Sequence, residues 1–182
     1  MTLSVRESLL VELVSETGEP IGETTVADAH TAPGRLHRAF SVHLLDTSGR
    51  LLLQQRAAVK TRFPLRWANA CCGHPSPGTT VVDAALTRLA EELGVVDDLT
   101  LTEVGVHLYR AGDPDTGLVE HEYDHVLLGI VDADRLALRP DPAEVAAVRW
   151  VDPGDLRTAM AANPTQYSPW LPGVTSLALP LP

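Results

Sequence analysis

No stretch of this chain approaches the ~20 consecutive apolar residues that a membrane-crossing helix requires. The amino-terminal stretch Ser4 to Ser15 is interrupted by Arg6, Glu7 and Glu12, where a secretion signal needs an unbroken apolar centre. A cytoplasmic protein is expected. Cysteine is nearly absent: the only two, Cys71 and Cys72, are sequence neighbours. Bridging neighbours forces a strained disulfide, so both are expected to be free thiols, which fits a reducing compartment. Lysine occurs once, as Lys60, among 14 basic residues set against 24 acidic ones. The net charge of -10 excludes broad contact with nucleic acid or an anionic membrane, because either needs a basic face that displaces counterions. An anionic ligand must then be held by metal or by a local group of cations. Arg56, Lys60, Arg62 and Arg66 form such a group with no acidic residue among them, and the sole lysine suits a place that wants a compact ammonium.

At 182 residues the chain is long enough for one sizeable core and too short for two ordinary domains, so a single domain over 1–182 is expected. Leu9 to Val14, Leu36 to Leu45, Leu51 to Arg56, Leu101 to Arg110, Val119 to Val131 and Val145 to Val151 read as strands. Turns such as Asp46-Thr47-Ser48-Gly49 and Asp113-Pro114-Asp115-Thr116-Gly117 separate them. Val82, Ala85, Leu86, Leu89 and Leu93 recur at helical spacing between capping threonines and Gly94, which predicts a helix from Thr80 to Leu93. A second helix is predicted from Pro153 to Ala162, capped by Asp152. The proline-rich segment from about residue 164 to Pro182 should be irregular apart from short turns. Strands and helices in this mixed order predict an α+β fold or an α/β/α sandwich around a mixed sheet, not a repeating parallel βαβ fold.

Several side chains invite a chemical reading. Glu91 and Glu92 close the predicted helix at the negative end of its dipole, where a cation would be favoured; local stability does not account for them. They read as a solvated acidic end or, for one of the pair, as a ligand for metal or a magnesium diphosphate. Glu120 and Glu122, two apart on a strand, leave the same face of a sheet. With His30, His37 and His74 they make a mixed nitrogen and oxygen set suited to manganese, magnesium or zinc. The ligands come from four separate segments, so spacing alone does not establish that they converge. Cys72 precedes Gly73-His74, where imidazole and metal would lower its pKa toward the thiolate of a base or nucleophile; the alternative is an inert buried thiol. Tyr109 and Trp170 are candidates for a proton relay and for a ring facing a cation, and each also fits ordinary packing.

The segments Ala29-His30-Thr31, Arg35-Leu36-His37-Arg38-Ala39-Phe40-Ser41, Arg56-Ala57, Trp67 to Pro75, Glu91-Glu92-Leu93-Gly94-Val95, Tyr109-Arg110-Ala111, Glu120-His121-Glu122 and Ser168-Pro169-Trp170 resemble the type I isopentenyl diphosphate isomerases in order and spacing. The resemblance runs from about Ile21 to Trp170, and the Cys-Gly-His-Pro turn combined with a later Glu-x-Glu is its most specific part. It implies a Nudix-type α/β/α sandwich. It also implies metal ligation by His30, His37, His74, Glu120 and Glu122, and catalysis by Cys72 and Glu122 on opposite faces of the substrate. Tyr109 would assist proton delivery and Trp170 would face a cationic intermediate; Arg56, Lys60 and Arg88 match diphosphate-binding positions, and Glu92 matches a carboxylate holding magnesium on the diphosphate.

The implied activity is conversion of isopentenyl diphosphate to dimethylallyl diphosphate in isoprenoid biosynthesis, by a monomer or weak homodimer acting on a small prenyl diphosphate. Three rivals stand beside it: the same protonation chemistry on a longer prenyl diphosphate, a Nudix diphosphate hydrolase, and a non-catalytic metal- or diphosphate-binding domain. The hydrolase signature would place glutamates where this chain has Thr79 and Arg88, and arginine at Thr87. Some family members carry lysine near the diphosphate where this chain has Val26, and Tyr123-Asp124-His125 also departs from part of the family.

Overall fold

The computed structural model describes residues 3–96 and 98–179. Nine strands form one mixed sheet: β1 (Leu10–Val14), β2 (Pro20–Thr25), β3 (His37–Asp46), β4 (Leu51–Arg56), β5 (Trp67–Ala68), β6 (Cys71–Gly73), β7 (Leu101–Gly112), β8 (Val119–Val131) and β9 (Val145–Val151). The six predicted strands are all present, and β2, β5 and β6 are additions too short or too polar to carry a period. β3 and β8 run parallel, from His37 opposite Glu122 to Asp46 opposite Val131, and the remaining ladders are antiparallel. That parallel pair sits at the centre, and the burial of β3 is nearly unbroken along its length, its polar His37, Ser41, His43 and Asp46 included.

The helices are α1 (Leu3–Glu7), α2 (Val26–His30), α3 (Val81–Leu93), α4 (Pro153–Ala162) and α5 (Leu171–Ala178). Thr80 caps α3 by accepting the Asp83 N–H, and Gly94 ends it with φ 67, a left-handed conformation that favours glycine. Ala85, Leu89 and Leu93 of α3 pack on Phe40, Val42, Leu44, Leu52 and Leu127 of one sheet face. On the other face, Leu156 and Met160 of α4 with Leu171 and Val174 of α5 cover Leu51, Leu53 and Val126. The sheet is thus the middle of an α/β/α sandwich, as expected.

The segment after residue 164 departs from the expectation of irregular chain. Leu171, Val174, Thr175 and Ala178 lie on one buried helical face, and Pro172 stands in the first turn, where its missing N–H costs nothing. Proline content was read as a breaker when its position made it a starter. Residues 180–182 lie outside the described residues. Between β4 and β5 the chain makes a strained loop, with non-glycine Phe63 at φ 45 and Leu65 at φ 59. Arg56 holds it by donating Nε and Nη2 to the carbonyls of Arg62 and Phe63, while Asp113 accepts the Phe63 N–H at 2.9 Å. The loop carries Lys60 and Arg62 to the mouth of a cavity at the edge of the sheet.

Candidate active site

Three histidines from three elements meet here: His30 ends α2, His37 begins β3 and His74 follows β6. Their ring centroids are 4.7, 5.1 and 4.8 Å apart. Glu122 joins them because the parallel register sets it beside His37, and one donor atom from each of the four residues lies within 4.8 Å of the others. Backbone contacts aim the rings. His30 Nδ1 pairs with the Val26 carbonyl at 2.7 Å and His37 Nδ1 with the Arg35 carbonyl at 2.8 Å, which turns both Nε2 atoms inward. His37 Nε2 is buried without a hydrogen-bond partner, a lone pair with nothing to meet. Burial and the neighbouring His30 hold His37 down to about 4, and burial with His37 and His30 holds His74 well below the usual imidazole range. Three imidazoles whose Nε2 atoms face inward, two of them held neutral, and an adjacent carboxyl group are a donor set able to hold a divalent metal ion.

The two strand glutamates differ sharply. Glu120 stands just outside the four-residue set, with Oε2 2.7 Å from His30 Nε2 and Oε1 accepting the Arg62 N–H at 3.1 Å. Burial would raise its pKa, but His30 and Arg62 overcome that and hold Glu120 well below the usual carboxylate range. Glu122 is pushed well above that range by burial, then by Glu120 and Asp124. It pairs with His74 Nε2 at 2.8 Å, and Tyr109 donates its hydroxyl to the other oxygen at 2.6 Å. The tight ionised carboxylate is thus Glu120, and the proton-rich one is Glu122.

Cys72, Glu122, Tyr109 and Trp170 line one cavity of about 130 Å³. The Trp170 ring centroid is 6.1 Å from that of Tyr109, and the Arg56 guanidinium carbon is 5.5 Å from the Trp170 ring. For Cys72 the structure corrects the expected ready thiolate: burial, then the nearby Asp124, push the thiol up to about 12. Burial removes the water that would stabilise a sulfur anion. Cys71 points away into the α3 core and is fully buried.

Arg56, Lys60 and Arg88 line the same cavity. Around them is a second cluster, of opposite character. Lys60 and Arg88 both pair with Glu92 and with Glu144, and Arg88 also reaches Glu91 at 2.7 Å. Glu92 is 1% exposed; burial would raise it, but Lys60, Arg88 and the Gln54 amide bring it down to about 2. Glu92 therefore does not join the histidines. Glu91, at the unfavourable end of α3, is offset by Arg88 and by Arg6 of α1. Glu7 of α1 binds Arg62 at 3.0 Å, so the amino-terminal helix also borders the cavity. Val26 lines the mouth with Leu9, Leu10 and Val11, an apolar rim in place of a lysine.

Sequence reasoning missed four participants. Arg62 was noted only as part of a basic run, yet it is 8% exposed and bound to Glu120. Glu144 and Gln54 gave no signal, because only folding carries them to Lys60 and Glu92. Asp124 was seen as a departure of no known consequence. It accepts the Ser41 hydroxyl at 2.7 Å behind Cys72, while Tyr123 contacts the Thr17 carbonyl and His125 contacts Glu103 and Arg38.

The NUDIX domain family matches residues 35–171. The chain is 62% identical over 168 residues to an isopentenyl-diphosphate Delta-isomerase of Nocardia farcinica, covering 92% of this chain and 93% of the relative. It is 49% identical over 174 residues to the protein of that name from Streptomyces coelicolor, covering 96% of this chain and 85% of the relative. Among solved structures, DR0079 from Deinococcus radiodurans superposes with a TM-score of 0.72 at 22% identity, covering 91% of this chain and 97% of that one; this likeness speaks to the fold alone.

Proposed function

We propose, from the premise that this chain belongs to the NUDIX family and within it to the isopentenyl-diphosphate isomerases, that it converts isopentenyl diphosphate to dimethylallyl diphosphate. The observation that carries this reading is that Cys72 of β6 and Glu122 of β8 line one small cavity between a histidine cluster and a cationic cluster. That cavity, about 130 Å³, supports a five-carbon substrate better than a long prenyl chain. Arg88, where the hydrolase signature has a glutamate, is engaged with Glu91, Glu92 and Glu144, which speaks against diphosphate cleavage. A purely binding domain would have no use for a hydroxyl donating into a protonated carboxyl group beside a thiol.

The carbon to be deprotonated is unactivated, so protonation of the alkene comes first. Glu122, kept protonated by burial and supported by the Tyr109 hydroxyl, delivers its proton to the terminal carbon and leaves a tertiary, cation-like centre. The Trp170 ring at the cavity wall stabilises that positive charge. Cys72, whose raised pKa makes its sulfur a strong base once the thiol has given up its own proton, then removes a proton from the carbon on the other side. A divalent ion of manganese, magnesium or zinc, held by His30, His37, His74 and Glu122 with Glu120 alongside, would supply positive charge that fixes Glu122 and lowers the proton affinity of nearby acids. Lys60, Arg88 and Arg56 receive the diphosphate, and Glu92, beside Lys60 and Arg88, would hold a magnesium ion that accompanies it.

We read the acting unit as a monomer or weak homodimer and its setting as cytoplasmic, the latter supported by two free cysteines. No helix among the described residues is long and apolar enough to cross a membrane. The test is solvent deuterium exchange into isopentenyl diphosphate. Cys72→Ala and Glu122→Gln should each reduce it by on the order of 10²- to 10⁴-fold. Exchange retained by both variants removes the mechanism.

A further inference from the structure

Asn69 lies in the irregular residues between β5 and β6 and is fully buried. Its amide makes four contacts that leave no freedom of orientation. Nδ2 donates to the backbone carbonyls of Val42 at 3.1 Å and Cys71 at 2.8 Å, groups that only accept. Oδ1 receives the Trp170 indole N–H at 3.1 Å, a group that only donates. The flip of the amide is therefore fixed by its partners, and the sulfur 3.2 Å from Oδ1 must present its S–H to that oxygen. One oxygen thus accepts a hydrogen bond from Cys72 and another from Trp170, residues 98 positions apart in the chain (170 minus 72).

This arrangement has a mechanical consequence. The Nδ2 contacts tie the amide to β3 and to the strand that carries Cys72, so the oxygen is a fixed point. With the S–H directed at that point, the thiol has a set rotamer and its lone pairs are turned away from Asn69. The indole N–H fixes one edge of Trp170, while Phe63 supports the ring in a T-shaped contact at 5.6 Å. We propose that Asn69 is a positioning residue, holding the Cys72 thiol and the Trp170 ring as one unit on the cavity wall. This rests on the reading of Cys72 and Trp170 given above. Ser41 Oγ, 3.5 Å from the sulfur, contacts the thiol but has no link to the indole, which makes it a natural comparator.

The test uses the full-length, metal-loaded protein in a Cys71→Ala background and measures two things: the rate of Cys72 alkylation by iodoacetamide, and kcat and KM for isopentenyl diphosphate. Trp170→Phe keeps a ring but removes the indole N–H; by taking away one of the two donors to Oδ1 it should change Cys72 alkylation at least about threefold, although the lost group does not touch the sulfur. Asn69→Ala should change alkylation in at least equal measure and lower kcat about tenfold, with KM within about twofold. The double variant should behave like Asn69→Ala alone, because both substitutions act through one oxygen. Ser41→Ala, combined with Trp170→Phe, should instead give independent effects.

Alkylation unchanged in Trp170→Phe, or effects of Asn69→Ala and Trp170→Phe that simply multiply, would overturn the coupling. If Asn69→Ala does not fold, Trp170→Phe measured against Ser41→Ala decides alone. Full activity in Cys72→Ala is a different failure: it removes the functional reading, whatever the alkylation rates are.

Discussion

The two ends of the cavity hold charge in contrasting ways. At one end, His37, His74 and Glu122 are kept largely neutral, burial being the largest cause for each, and among the described residues His37 Nε2 has no hydrogen-bond partner. At the other end, Lys60, Arg88, Glu92 and Glu144 are locked into mutual ion pairs. Both are buried beside the same sheet, so burial alone does not decide the outcome. What decides it is whether opposite charge is within reach: arginine and lysine hold Glu92 down to about 2, whereas Glu122 has two carboxylates as neighbours and rises. The first end is prepared for an incoming cation, and the second for an incoming anion that exchanges protein carboxylates for phosphate oxygens.

The sharpest way to break this contrast is to remove the unpaired imidazole. His37→Ala should lower divalent-metal affinity by at least about 100-fold, read by metal content after dialysis, with isomerase activity falling alongside. Equal metal retention would remove the distinction between the ends. At the ionic end, Lys60→Gln should raise KM for the diphosphate by roughly ten- to 100-fold with a smaller change in kcat, as expected for one charge-assisted contact. Lys60→Arg should restore it only in part, because a planar guanidinium does not replace a compact ammonium between two carboxylates.

A fourth imidazole, outside the histidine cluster, gives a control. His43 is fully buried on β3 with neither ring nitrogen partnered, and burial lowers it from 6.5 to about 4. The unfolded chain takes up this proton near pH 6.5 and the folded chain only near 4, so this group makes stability fall as pH drops through that window. His43→Leu should flatten that decline by at most about 3 kcal/mol, measured by urea unfolding at stepped pH. The smallest effect is expected from Thr80→Ala, which removes the α3 cap. It should lower stability by about 1 kcal/mol and leave the metal content and KM unchanged. A shift in KM would mean that α3, which carries Arg88 and Glu92, tunes the ionic end through its first turn.

The strands and the two long helices were legible because each hides one face, and periodic burial leaves a periodic sequence. Helix α5 was not read, since its prolines were weighed by number and not by position. The histidines and glutamates of the candidate site were named from resemblance. That a four-donor set would leave Glu120 at its border was not foreseen, and which of the two readings of Cys72 burial would favour was left open. Charge in a folded protein depends on solvent exclusion and on neighbours a few ångströms away, and neither quantity is written along the chain.

By itself, the sequence determined the alternation that builds the sheet, the caps that bound α3, the supply of imidazole, carboxyl, thiol and indole groups, and the excess of acid that makes Lys60 and its arginine neighbours conspicuous. Tertiary structure alone decided that Glu122 falls beside His37, that Glu144 reaches Lys60, and that Asn69 joins Cys72 to Trp170. Local preferences act over a few residues and can be read from them. Convergence depends on strand order and register, which are set by the packing of the whole sheet between its two helical layers.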